Sequence, residues 1–364
     1  METERFETVV IGGGQAGLKA GYYLAKAGRP FVILDANERT GDAWRKRWDS
    51  LRLFTPARFN GLPGWKYPAR PHYFPTKDEM ADYLEAYAAR FKLPIRHGVS
   101  VDRVTKEDDR FVITSGGRRF EADNVVVATG ANRVPKMPAF AAQLDSRIVQ
   151  MHSSEYKNPT QLRDGGVLVV GVGNSGAEIA YELVQSRPTW LAGKESGQIP
   201  VPHGGQRARM FFPVFRFVGH FVLSFGTPIG RKVIPKMRTK ADPLIRRRTK
   251  DLAEARIDRV PRVAGVGDGL PVLEDGRTLD VPNVIWSTGY RYDFSWIDLP
   301  AFEADGVPIH TRGVSTEPGL YFVGLSFQYS ASSEVLPGRG RDAEFVVKHL
   351  AGRDRSRATD RVPA

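Results

Sequence analysis

Two glycine clusters carry the clearest chemical signal in this sequence. Gly12-Gly13-Gly14-Gln15-Ala16-Gly17 follows the apolar run Thr8-Val9-Val10-Ile11. Gly171-Val172-Gly173-Asn174-Ser175-Gly176 follows Val167-Leu168-Val169-Val170. Each is a G-x-G-x-x-G placed after a strand-like run and ahead of a helix-like one, the context in which this spacing holds a dinucleotide. The first glycine (Gly12, Gly171) takes the tight turn. The second (Gly14, Gly173) lets a diphosphate approach the backbone, and the third (Gly17, Gly176) lets helix pack on strand. Gln15 and Ala16 in one copy, Asn174 and Ser175 in the other, open a helix whose unpaired N–H groups and positive end favour phosphate.

The residue after the second strand of each unit selects the nucleotide. Asp35 lies eighteen positions after Gly17. A carboxylate there accepts hydrogen bonds from a ribose diol and repels a 2′-phosphate, which suits FAD. The equivalent position after Gly176 is Lys194, a cation that can pair with a 2′-phosphate. NADPH is therefore expected at the second site, with NADH accepted as well.

The elements that position these turns read as a doubly wound α/β chain. Val9–Ile11, Phe31–Leu34, Asn124–Val127, Val167–Val170 and Thr189–Ala192 are apolar runs without alternation, the pattern of a buried parallel sheet. Lys77–Phe91 reads as an amphipathic helix. Phe111–Thr114 and Arg118–Glu121 read as a hairpin turned by Gly116-Gly117, Gly319–Gly324 as a late strand, and Arg341–Leu350 as a closing helix. The spacing of the two copies predicts two Rossmann-like dinucleotide-binding domains, the second inserted into the first. Residues 1–158 plus 289–364 would form the first, and 159–288 the second, including an apolar and basic segment at 205–250.

Composition excludes some chemistries. The chain of 364 residues has no cysteine, so it holds no disulfide, no thiolate metal site and no dithiol relay; no metal is expected. Met1–Glu7 is polar and leads directly into a strand, so no signal peptide is expected and a cytoplasmic enzyme follows. The net charge of +12 is uneven, with Arg231, Lys232, Lys236, Arg238, Lys240, Arg246, Arg247, Arg248 and Lys250 opposed only by Asp242 across 231–250. An apolar stretch at 211–223 precedes that run, too short and too interrupted for a membrane span. It reads as a lid or subunit contact beside a solvated basic helix, or, through 211–250, as a peripheral contact with an anionic membrane surface. Nucleic acid is not expected, as no recognition motif accompanies the charge.

Further motifs join the glycine turns: Gly41-Asp42-Ala43-Trp44-Arg45, Trp48-Asp49-Ser50-Leu51, Leu53-Phe54-Thr55-Pro56, Tyr73-Phe74-Pro75-Thr76, Ala128-Thr129-Gly130, His152-Ser153-Ser154-Glu155-Tyr156-Lys157 and Ser287-Thr288-Gly289-Tyr290. With these the chain resembles the flavin-containing monooxygenase superfamily, the class B flavoproteins with two dinucleotide sites, over nearly its whole length. Small bacterial members and plant YUCCA-type enzymes look most similar. The resemblance implies FAD diphosphate at Gly12, Gly14 and Gly17, its ribose at Asp35, and Trp44 and Arg45 along the ribityl and adenosine portions. Thr55 and Tyr73–Thr76 would approach the flavin ring and Val101 the adenine, with Ala128, Thr129, Gly130 and Gly324 also at the FAD. Gly171, Gly173, Asn174, Ser175 and Gly176 would hold the nicotinamide dinucleotide, and His152 and Tyr156 would belong to a signature at the junction. Two departures stand out. The aromatic and glycine that the signature places before its histidine are Ser146 and Ile148 here, and Gln328–Arg341 carries Glu334, Pro337 and Arg339 where neutral residues are expected.

The resemblance implies hydride transfer from NADPH to FAD, then addition of dioxygen to give a C4a-(hydro)peroxyflavin. That species would oxygenate a soft sulfur or nitrogen centre, or a ketone; residues 205–240 read as shaping or covering the pocket, and their many phenylalanines suit a small apolar substrate. No side-chain acid or base is required; His152 is the one candidate proton donor. Two other readings remain open. One is an NAD(P)H-dependent flavin reductase or oxidase that passes electrons to a quinone, a carrier or O2 without oxygen insertion. The other is a regulator that senses a dinucleotide.

Overall fold

A computed structural model describes residues 3–130, 134–195, 197–201, 203–237, 242–333, 335–336 and 338–360, apart from the side chains of Arg339 and 354–360. β1 (Thr3–Ile11), α1 (Gln15–Lys26) and β2 (Phe31–Leu34) make the first strand–helix–strand unit. Val9 pairs with Val32 and Ile11 with Leu34 in parallel, the direction a helical crossover imposes. After the single turn α2 (Asp42–Arg45) comes α3 (Lys77–Arg90). Its start is a capping box: Thr76 accepts from the Glu79 N–H, and the Glu79 carboxylate accepts from the Thr76 N–H. Two donors that the helix cannot satisfy internally are thereby paired. Met80, Tyr83, Leu84 and Tyr87 then bury at helical spacing against Leu18 and Leu24 of α1.

β3 (Ile95–Arg96) adds to the β2 edge, and β4 (Arg103–Glu107), β5 (Arg110–Ser115) and β6 (Arg118–Val127) run as an antiparallel meander. Arg118–Glu121 and Asn124–Val127, read above as separate pieces, are one strand. β6 pairs antiparallel with β5 over its first half and parallel with β1 almost throughout. That ladder also starts β1 at Thr3 rather than Thr8, with Thr3–Phe6 opposite Arg119–Ala122 and Arg5 ion-paired to Glu121 at 3.0 Å.

β7 (Val134–Pro135) leads to β8 (Val149–His152), β9 (Val167–Val170), α4 (Asn174–Leu183) and β10 (Thr189–Ala192). A helical excursion follows: α5 (Gly205–Phe217), a π turn over Val218–Val222, α6 (Pro228–Met237) and α7 (Thr249–Glu254). β11 (Asp258–Val260), the hairpin of β12 (Val263–Gly267) and β13 (Leu270–Leu273), and β14 (Asn283–Trp286) complete this part. The second sheet is parallel in the order β11-β10-β9-β14-β8. β8 was expected in the first unit, within 1–158. Its register with β14, His152 opposite Trp286, places it in the second sheet instead, so the chain crosses over earlier.

The chain returns through β15 (Tyr290–Arg291), antiparallel to β7, and then β16 (His310–Thr311), β17 (Val314–Ser315) and β18 (Leu320–Phe322). β18 lies parallel beside β6 in the order β16-β17-β18-β6-β1-β2-β3. α8 (Arg339–Asp360) closes on α1, with Ala343, Val346 and Leu350 in one buried cluster with Leu18 and Leu24. Among the described residues no helix is long and apolar enough to cross a membrane.

The basic run does not form one solvated helix. Arg231, Lys232 and Lys236 point outward from α6. Arg246 and Arg247 instead ion-pair with Glu178 of α4 at 3.2 and 3.6 Å, and Arg247 lies 3.5 Å over the Tyr181 ring. Arg248 pairs with Asp251 at 3.7 Å at the start of α7. Arg238 and Lys240, like Glu334 and Pro337 of the unusual late segment, lie outside the described residues.

Candidate functional site

The two glycine turns sit at the carboxyl ends of β1 and β9 and share the same close approaches at their first and third glycines. Gly12 has φ +108° and Gly171 φ +113°, values that disfavour any side chain. A Cβ at Gly12 would meet the Ala128 carbonyl at the end of β6, and one at Gly171 the Ser287 carbonyl at the end of β14. A Cβ at Gly17 would strike the Gly12 carbonyl, and one at Gly176 the Gly171 carbonyl. The first and third glycines of each copy are thus dictated by packing. Gly14 and Gly173 are not: a Cβ on either would meet nothing within 4 Å. Each is the N-cap of its helix, with no side-chain cap and no acid in the first turn. Gln15 Oε1 and Ser287 Oγ are buried beside these turns without a hydrogen-bond partner. Open space and uncapped N–H groups fit a diphosphate at both turns, and at the second the Ser287 hydroxyl can donate to it as well.

Asp35, 5% exposed, lies at the end of β2 directly beneath Gly13, whose built Cβ would be 2.6 Å from Oδ2. Its Oδ1 accepts from the backbone N–H and side-chain amide of Asn37 at 3.3 and 3.1 Å. The second unit differs in charge. Lys194 is exposed at the end of β10. Just beyond it the chain pairs with the 244 segment: Ile199 N–H donates to Leu244 O, and Leu244 N–H to Gly197 O, both at 2.9 Å. This pairing brings Arg246, Arg247 and Arg248 to the side of the second turn, rather than to the solvated helix or membrane face expected for them. Loss of water on burial holds the Arg246 guanidinium below its ordinary pKa and pushes the Glu178 carboxyl up, against the opposing pull of their ion pair. Asn174 has a structural task, its amide donating to Pro243 O at 3.1 Å and its Oδ1 accepting from Ile245 N–H at 2.9 Å. Its backbone N–H is what remains for a ligand.

Other residues expected at the first site belong to the first unit. Ala128, Thr129 and Gly130 follow β6 against Gly12. Arg45 donates to Thr40 O, Asp82 and Glu85 at 2.8, 2.9 and 3.1 Å, and so ties α2 to α3; Trp44 packs on the same core. Thr55 Oγ1 donates to Asn60 Oδ1 at 2.5 Å, and Asn60 is fully buried. Val101 is 7% exposed in the cluster under β1 and β6. Gly324 N–H donates at 2.9 Å to Gln328 Oε1, while Gln328 Nε2 donates at 2.9 Å to Phe322 O. Gln328 therefore closes the turn after β18, a task no local pattern announced.

The junction residues are bound tightly. His152 is 2% exposed; its Nε2–H donates to Gly289 O at 3.1 Å, and its Nδ1 accepts from Ser154 N–H at 3.2 Å. Burial lowers its pKa, so at neutral pH it is an uncharged imidazole with both nitrogens engaged. That environment suits joining the outgoing and returning connections better than donating a proton. Tyr156 is fully buried and donates to Glu182 at 2.9 Å; burial and that carboxylate push its pKa up. Trp48, from the first unit, lies in its cluster with Ile179 and Val169, so the two sheets share packing there.

A polar group near the late segment was also missed. Arg341 donates to His220 O at 2.7 Å and to Ser330 Oγ at 2.9 Å, and His220 Nδ1 lies 3.0 Å from Ser332 Oγ. Asp342, 1% exposed, stands 3.7 and 3.9 Å from Arg312 and Arg341. These contacts fasten the α5 excursion to the chain after β18, also bridged at Ser224 and Ser330.

Comparison with known proteins agrees with this geometry. Residues 9–192 match the family described as pyridine nucleotide-disulphide oxidoreductase. The oxidoreductase CzcO-like of Geobacillus kaustophilus is 40% identical over 94% of this chain and 98% of its own length. The indole-3-pyruvate monooxygenase YUCCA1 of Oryza sativa subsp. japonica is 29% identical over 98% of this chain and 95% of its own. A solved flavin-containing monooxygenase from Stenotrophomonas maltophilia superposes with a TM-score of 0.77 at 27% identity, covering 96% of this chain and 99% of that one.

Proposed function

From a chain that belongs to the pyridine nucleotide-disulphide oxidoreductase family and to the flavin-containing monooxygenase superfamily, we infer an FAD-dependent monooxygenase supplied with electrons by NADPH. The first unit would hold FAD and the second the nicotinamide dinucleotide. The family description includes disulfide chemistry, but a chain without cysteine offers no dithiol relay. The first turn would hold FAD, whose chemistry when bound would be acceptance of hydride from a nicotinamide and activation of dioxygen.

The residues supply placement. Gly12, Gly14 and Gly17, with the N–H groups of Gln15 and Ala16, would cradle the FAD diphosphate, and Asp35 would accept from its ribose. Trp44, Arg45, Thr55, Val101, Ala128, Thr129, Gly130 and Gly324 would line the rest of that site. Gly171, Gly173, Asn174, Ser175 and Gly176 would cradle the nicotinamide dinucleotide. Lys194, backed by the Arg246–Arg248 cluster, favours a 2′-phosphate by charge. The substrate would be a small apolar molecule with a soft sulfur or nitrogen centre, or a ketone, oxygenated with O2.

One observation carries this reading: the middle glycine of each turn has room for a side chain and none is there. The test is the purified protein in air with NADPH and, in turn, an organic sulfide, an amine and a cyclic ketone. NADPH oxidation matched by oxygenated product supports the monooxygenase. If hydrogen peroxide accounts for all the NADPH with every substrate, an oxidase replaces it.

A further inference from the structure

Six of the nine exposed large apolar side chains among the described residues lie in one stretch: Met210, Val214, Phe215, Phe217, Phe221 and Ile229. Met210, Val214 and Phe217 stand at i, i+4 and i+7 on α5 and so share one face. Phe221 carries that stripe into the π turn, with its ring 5.2 Å from that of Phe217. α5 has another apolar face, Ala208 and Phe212, and that one is buried. The inward face accounts for how the helix is held. The outward face does nothing for the fold, and single exposed apolar residues are ordinary whereas a contiguous patch is not.

Charge identifies what the patch suits. Arg207, Arg209, Arg216, Arg231, Lys232 and Lys236 are all exposed on α5 and α6, and residues 196–241 contain neither Asp nor Glu. A second copy of this chain, meeting the patch about a two-fold axis, would set like charge against like. An anionic bilayer offers acyl chains to the stripe and phosphates to its rim. We propose that α5, the π turn and α6 form a docking surface for an anionic lipid bilayer. Met210, Val214, Phe217 and Phe221 lie at the acyl boundary, and the basic side chains lie among the headgroups. Pro213 within α5 and the π turn after it keep the segment short, so it rests in the plane of the surface.

Its test reads binding rather than turnover. Flavin-loaded full-length protein is sedimented with vesicles of phosphatidylcholine alone and with vesicles containing about a third phosphatidylglycerol. The protein is expected to pellet only with the anionic vesicles and to be released by about 0.5 M salt. The double variant Phe217→Ser, Phe221→Ser should lower partitioning tenfold or more. The pair Arg231→Gln, Lys232→Gln should lower it about fivefold per cation. Flavin absorbance and melting temperature, unchanged in both variants, show that the fold is intact. Equal pelleting with both vesicle types, or none with either, overturns the proposal. So does a wild-type dimer that the phenylalanine variant converts to monomer without any vesicle binding, because the patch then joins two copies.

Discussion

Gly14 and Gly173 separate folding from binding in a way their neighbours cannot. Gly17→Ala puts a methyl into the Gly12 carbonyl, so any loss of flavin there confounds ligand with fold. Gly14→Ala places the methyl in open space. Compared as apoproteins, variant and parent should melt within about 3 °C of one another, since the N-cap cost of alanine is offset by its smaller unfolded-state entropy, yet the variant should be purified with at least tenfold less flavin. Retention of full flavin content would show that no diphosphate lies there. Lys194→Ala tests the second site. Its kcat/KM for NADPH should drop about tenfold relative to NADH, a change of about 1.4 kcal/mol. An unchanged ratio would assign the discrimination to Arg246–Arg248 instead. The glycines were legible in the sequence because a tight turn and a phosphate contact fix their spacing. The arginine cluster was not, because its place comes from the pairing of 197–199 with 244 and from Glu178, far away along the chain.

Elements were legible where a local rule and the tertiary environment coincide. α3 is such a case: Thr76 and Glu79 mark its start, and an apolar stripe marks its buried face. Thr76→Ala should remove the cap and cost about 1 kcal/mol, read as a lower urea midpoint at unchanged slope. Because Glu79 also accepts from Thr76 N–H, Glu79→Ala should cost a comparable amount, and the double variant less than the sum. β6 and β8 were less legible, for one reason in both cases. An apolar run records that a strand is buried, not which strand it pairs with. The polar Arg118–Glu121 looked separable from Asn124–Val127 until β1 proved long enough to pair with both. Nothing in Val149–His152 tells that β14 is its neighbour.

At the scale of the whole molecule, three histidines hold the second part of the chain to the first. His152 donates to Gly289 O where the chain crosses back. His203, ahead of α5, donates to Phe54 O at 3.0 Å and packs 4.1 Å from the Phe74 ring. His220 reaches Ser332 across the same junction. Burial lowers the pKa of all three. Cations add to the effect: Arg47 near His152, Arg246 and Arg247 near His203, and Arg341, Arg216 and Arg312 around His220, which is lowered to about 4. The unfolded chain takes up these protons near pH 6.5, while the folded chain refuses them until a lower pH. Stability is therefore full above about pH 6.5 and falls as the pH drops toward 4. His220 alone can account for about 3 kcal/mol of that loss. The buried carboxylates Glu178 and Asp342, raised by burial, act with the opposite sign. Asp145, held at about 2 by Arg147, titrates below the window. Subtracting the urea midpoints of His220→Gln from those of the parent at each pH removes these shared contributions. The difference should be flat above pH 7 and move in favour of the variant by up to about 3 kcal/mol between pH 6.5 and 4. A difference that stays constant across that range would mean that His220 is as easily protonated in the folded chain as in the unfolded one, and that the junction does not loosen through it.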